Sequence, residues 1–66
     1  MRLLVNGREV EIADGLSIAG YVAERSLIPE RIIVEHNAEI INRDQWETVV
    51  LNEADQLEIL TFVGGG

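Results

Sequence analysis

The residues of this chain best suited to chemistry stand at its end. Gly64-Gly65-Gly66 closes the sequence, so the last carboxylate sits on a residue without a side chain. Glycine lets a backbone thread a narrow channel and leaves a terminal carbonyl open to attack. A terminal carboxyl, with a pKa of about 3.3 to 3.7, is ionised at neutral pH and is a poor electrophile. Acyl chemistry at Gly66 therefore needs prior activation, and adenylation by an ATP-dependent enzyme would supply it as a mixed anhydride. The bland reading of the same three residues is a flexible cap.

Other reactive side chains read as structural. His36 lies in an apolar run and reads as a core or rim residue, and no spacing of His, Asp or Glu suggests a metal ligand set. Glu9 and Glu11 alternate with apolar neighbours, which makes them a solvated strand face rather than an acid–base pair. Trp46 reads as packing. The chain has no Cys, which removes disulfides, thiolate metal sites and a cysteine nucleophile and leans mildly towards the cytosol. It has no Lys either, and its final glycines end the chain instead of opening a helix, so no phosphate-cradling loop is present. No resident cofactor is expected.

Size and charge restrict what these residues can be part of. A chain of 66 residues makes one domain that buries only about 60% of its unfolded surface, too little for a deep catalytic cleft. Twelve Asp and Glu against five Arg leave a net charge of -7. That surface repels nucleic acid and anionic lipid and suits a basic protein partner. Near the start, the apolar run before Asn6-Gly7 falls short of the 7 to 15 residues of a signal-peptide core. No segment approaches the ~18 apolar residues of a membrane span. The expectation is a soluble, cytoplasmic protein that binds neither nucleic acid nor membrane.

The elements that must position the tail follow from periodicity. "LLV", Asn6-Gly7 and the alternating "EVEI" predict a β-hairpin, because both central residues of a type I′ turn need positive φ. Asp14-Gly15 forms the next turn, and Ser17 is placed to cap a helix over Ser17–Arg25 whose apolar face carries Ile18, Tyr21 and Val22. Gly20 inside it marks a close approach or a tolerated weakness. Pro29 ends that segment, "RIIVE" reads as a buried third strand, and Asn37-Ala38 turns the chain into the short "EII". "NRDQWETVVL" links onward with one helical turn around Asp44–Trp46, and "DQLEILTFV" is the last strand. If first and last strands pair in parallel, the order is that of a β-grasp fold: α+β, with a mixed four- to five-stranded sheet packed on one helix.

The "VNG" hairpin, "IIVEHNAEIINRDQW" and "ADQLEILTFVGGG" resemble the sulfur carriers of thiamine biosynthesis, the ThiS family of ubiquitin-like β-grasp proteins, across essentially the whole chain. The resemblance implies a domain over 1–63 and a tail of Gly64, Gly65 and Gly66, with Gly66 as the point of adenylation and thiocarboxylate formation. It implies an E1-like, ThiF-like adenylating enzyme using ATP, a persulfide sulfur donor, and a ThiG-like thiazole synthase as acceptor. Related carriers serve molybdopterin synthesis, tRNA thiolation and cysteine synthesis with the same ending. A ubiquitin-like binding module whose tail is never modified is the alternative of another class.

Alternation sets a further expectation. Leu3, Val5, Val10, Ile12, Ile18, Val22, Val34, Leu57 and Ile59 should face the core. Leu60 and Phe62 should then face away from the helix with Leu4 beside them, forming a partner-binding patch.

Overall fold

The computed structural model describes residues 1–63; the tail residues Gly64, Gly65 and Gly66 lie outside the described residues. Strand β1 (Arg2–Val5) and strand β2 (Arg8–Glu11) form the first hairpin. Its turn has φ of 51° at Asn6 and 80° at Gly7, the positive pair the sequence predicts. Helix α1 spans Ile18–Glu24, and Ser17 caps it by accepting the Gly20 N–H on its Oγ at 3.0 Å. A Cβ on Gly20 would meet Leu16 Cδ1 at 2.6 Å, so this glycine marks a close approach.

Beyond the helix, a single turn of 3₁₀ helix at Pro29–Arg31 leads into β3 (Ile32–His36), followed by β4 (Glu39–Ile40). A second 3₁₀ turn at Arg43–Gln45 precedes the last strand, β5 (Gln56–Thr61). The sheet order is β2-β1-β5-β3-β4. Strands β1 and β5 are parallel and the other neighbours antiparallel, which is the expected β-grasp arrangement with the last strand at its centre.

The core lies between the sheet and α1. Leu3, Val34 and Leu57 from the sheet meet Ile18, Tyr21 and Val22 from the helix, all buried. Burial of each such side chain contributes about 1.5 to 3 kcal/mol. Of the expected core, Val10 and Ile59 are only partly buried and pack against its margin. The connection before β5 contributes more than a linker would, because Trp46 and Leu51 are buried with the core. Three backbone bonds fasten it to the start of the helix: Ile18 N–H to Val49 C=O, Ala19 N–H to Trp46 C=O and Leu51 N–H to Leu16 C=O, at 2.9 to 3.0 Å. The Trp46 indole N–H donates to the Ile41 carbonyl at 3.0 Å.

Candidate functional site

Strand β5 (Gln56–Thr61) is the last described element of the chain. Alternation along it turns Leu57 and Ile59 towards the helix and Glu58 and Leu60 to the uncovered face, where Leu60 is 52% exposed. Phe62, one residue past the strand, donates its N–H to the Arg31 carbonyl at 3.0 Å and is 43% exposed. Its backbone is thus held in the sheet while its ring remains open to a partner.

Two asparagines hold β5 in register from either end. Asn6 Oδ1 accepts the Ile59 N–H at 2.7 Å and its Nδ2 donates to the Ile59 carbonyl at 3.2 Å. The amide thereby continues the ladder where β1 stops at Val5. At the other end Asn37 Oδ1 accepts the Gln56 N–H at 2.9 Å, and Asn37 Nδ2 donates to Asp55 Oδ1 at 3.2 Å.

Asp55 is the buried carboxylate beside that second clamp. Its Oδ2 lies 2.7 Å from His36 Nε2 and accepts the Asn52 N–H at 2.8 Å. Burial alone pushes the Asp55 pKa up, but hydrogen bonds from His36, the Asn52 backbone and Asn37, with the nearby His36 charge, outweigh it and hold the carboxyl below its ordinary value. His36 is therefore a fastening for the loop before β5, in keeping with a rim residue. Among the described residues no group of three or more His, Cys, Asp or Glu could hold a metal ion. Nor is any helix among them long and apolar enough to cross a membrane.

Register corrects one expected neighbour. Leu4 faces the uncovered side, but it stands opposite Gln56 rather than beside Leu60, four residues or roughly 13 Å down the strand. The residue opposite Leu60 is Ile33, 40% exposed, and Ile40, 67% exposed, stands opposite Glu35 on the next strand. The exposed apolar strip therefore runs Ile40, Ile33, Leu60, Phe62. Sequence reasoning passes over Ile33 because it sits inside the continuous run Ile32-Ile33-Val34, where alternation is invisible.

This geometry can be set beside known proteins. The model of the ThiS family matches residues 3–66, which takes in all but the first two residues and includes the three terminal glycines. The chain belongs to the ThiS family. It is 38% identical over 65 residues to the sulfur carrier protein ThiS of Bacillus subtilis (strain 168), covering 97% of this chain and 98% of that protein. The crystal structure of the thiamine biosynthesis protein ThiS from Geobacter metallireducens superposes with a TM-score of 0.86 at 29% identity, over 100% of both chains. Thiazole synthases of Paramagnetospirillum magneticum and Magnetococcus marinus are 32% and 33% identical to it over 66 residues, and the chain spans only 20% of the length of each. In this ThiS-family chain the described elements that bear on a candidate site are β5, its two asparagine clamps and the apolar strip; the tail residues Gly64, Gly65 and Gly66 of the expected site lie outside the described residues.

Proposed function

We propose that the chain is a sulfur carrier of thiamine biosynthesis. The observation that carries this reading is the full-length match to the Bacillus subtilis sulfur carrier protein ThiS, 98% of which is covered at 38% identity. On this reading the Gly66 carboxylate attacks the α-phosphorus of ATP on an E1-like enzyme and pyrophosphate leaves. The terminal sulfur of a persulfide donor then attacks the acyl carbon and AMP leaves. Reduction of the resulting acyl disulfide by a thiol yields the thiocarboxylate. The chain is a cosubstrate in this scheme, and catalysis lies with its partners, in the compartment where it is made, the cytoplasm.

Thiazole synthase is the proposed acceptor. Two thiazole synthases contain a stretch like this whole chain within their own length. Fusing a donor to its acceptor raises the effective concentration of one at the other into the millimolar range. That favours the thiazole arm over molybdopterin, tRNA or cysteine acceptors.

The apolar strip gives such partners something to hold. Ordering three glycines in a channel costs roughly 1 to 2 kcal/mol each. Ile40, Ile33, Leu60 and Phe62 are each about half exposed, so burying what remains of all four would return roughly half of the 1.5 to 3 kcal/mol of a full burial apiece, a sum comparable to that loss. The acceptor is tested by incubating the thiocarboxylated chain with thiazole synthase and its small substrates. The expected result is a return to the carboxylate mass, a loss of about 16 Da, that does not occur with molybdopterin synthase; transfer only to the latter would refute the thiazole assignment.

A further inference from the structure

The two edges of the sheet are not alike. Strand β4 is two residues long, too short to template another strand. Strand β2 has four residues, with Arg8, Glu9 and Glu11 exposed. The Met1 N-terminus and the Ile12 carbonyl, and in return the Ile12 N–H and the Met1 carbonyl, bond at 2.9 Å. With the register Leu3 to Val10 and Val5 to Arg8, antiparallel alternation makes those the bonded pairs and turns the N–H and C=O of Glu9 and Glu11 away from β1. Among the described residues these ladder groups have no partner, and they are of the kind to which an extended chain can add.

Side chains beside this edge restrict what can add. Glu9 borders an open cleft of about 360 Å³ whose walls include Arg2, Leu4, Glu53 and Ala54. A smaller one of about 190 Å³ lies along Arg2, Glu9, Val10 and Glu11. Glu53 uses Oε1 to accept the Arg2 backbone N–H at 2.9 Å, which fixes its side chain at the cleft. A second copy of the chain is a poor occupant, because edge-to-edge pairing would set Glu9 and Glu11 against their own kind and each copy carries a net charge of -7.

We propose that β2 is a docking edge for an extended basic segment of a protein partner, which adds as a sixth strand. Its backbone completes the free ladder of Glu9 and Glu11. Arginine or lysine at alternate positions lies over the same face as those carboxylates, with its cationic end at Glu9 and Glu11, one strand spacing away. This surface is separate from the Ile33–Leu60 strip, so it stands or falls without the sulfur chemistry.

The probe is a nine-residue peptide of alternating arginine and threonine, added to the full ¹⁵N-labelled chain, with an alternating glutamate and threonine peptide as control. At saturation the Glu9 and Glu11 amides should exchange with solvent at least tenfold more slowly, as ladder N–H groups do, while the amides of Ile33 and Leu60 keep their rates. The Glu9→Lys, Glu11→Lys double variant should bind the basic peptide at least tenfold more weakly. If it does not fold, Glu9→Gln, Glu11→Gln serves the same purpose with at least a threefold loss. Binding that leaves both amides exchanging as in the free chain would overturn strand addition, as would equal affinity for the acidic peptide, undiminished binding by the folded variants, or no binding at millimolar peptide.

Discussion

Glu35 and Glu58 stand directly opposite each other on β3 and β5, on the face the helix leaves bare. Like charges in a cross-strand pair destabilise a sheet by roughly 0.2 to 1 kcal/mol. They lie one alternation away from Ile33 and Leu60, so the same face offers a partner an apolar strip and two adjacent carboxylates. Glu58→Gln should raise stability to urea by a few tenths of a kcal/mol up to about 1 at low ionic strength, and the gain should vanish near 1 M salt, where the Debye length is about 3 Å. A loss of stability would mean that the carboxylate makes a favourable contact in the folded chain.

Core burial predicts an ordering among β5 variants. Leu57 is fully buried, so Leu57→Ala should cost about 2 to 5 kcal/mol in urea denaturation. Ile59 only edges the core and its replacement by Ala should cost clearly less. Equal losses would place both side chains at the same depth, against the structure.

Asp55 makes the chain sensitive to acid in a defined direction. Its folded pKa is held below the ordinary value, so its contribution is fully present above the unfolded value near pH 3.9 and is lost as pH falls through the lower folded value. Asp55→Asn should be less stable than wild type at pH 7, and the difference should shrink as pH falls below the ordinary Asp value of about 3.9. A difference constant from pH 7 to pH 2 would show that the carboxylate charge plays no part.

On the exposed strip, Leu60→Asp or Phe62→Asp should weaken binding to the activating enzyme at least tenfold while the melting temperature stays near wild type. Titration calorimetry on the folded variants measures this. Wild-type affinity in both would move recognition to another surface.

Much of this fold is legible in local residue chemistry. Asn6-Gly7, the Ser17 cap, the helical face of Ile18, Tyr21 and Val22, and the turn before Glu39 follow from sequence because each depends on neighbours within four residues. What escapes local reading depends on distant ones. Leu51 and Trp46 sit in an irregular stretch without period, and only the tertiary bonds to the start of α1 turn them inward. The Asp55 cluster joins residues 18 and 19 positions apart, which no spacing rule anticipates. Leu4 is misplaced by alternation for a related reason: period two gives the face of a residue, whereas its neighbour is set by a parallel register that reaches across the whole chain. The turn at Asn37-Ala38 keeps φ of 51° and 73° without a glycine, a conformation an L-residue takes at a cost of roughly 1 to 2 kcal/mol, and the Asn37 bonds to Gln56 and Asp55 account for its retention.

Sulfur carriage at Gly66 can be read from the intact mass of the chain. The chain is incubated with ATP, an E1-like activating enzyme and a persulfide donor, alongside a variant lacking Gly66 and one with an alanine appended after it. Replacing one carboxylate oxygen by sulfur adds about 16 Da. Both variants should fold as wild type does, yet remain at their starting mass, because a misplacement of about 1 Å can already cost ~10²-fold in a positioned reaction. A gain of about 16 Da is expected in the wild-type chain alone; an unchanged wild-type mass, or the same gain in the chain lacking Gly66, would refute sulfur carriage at Gly66.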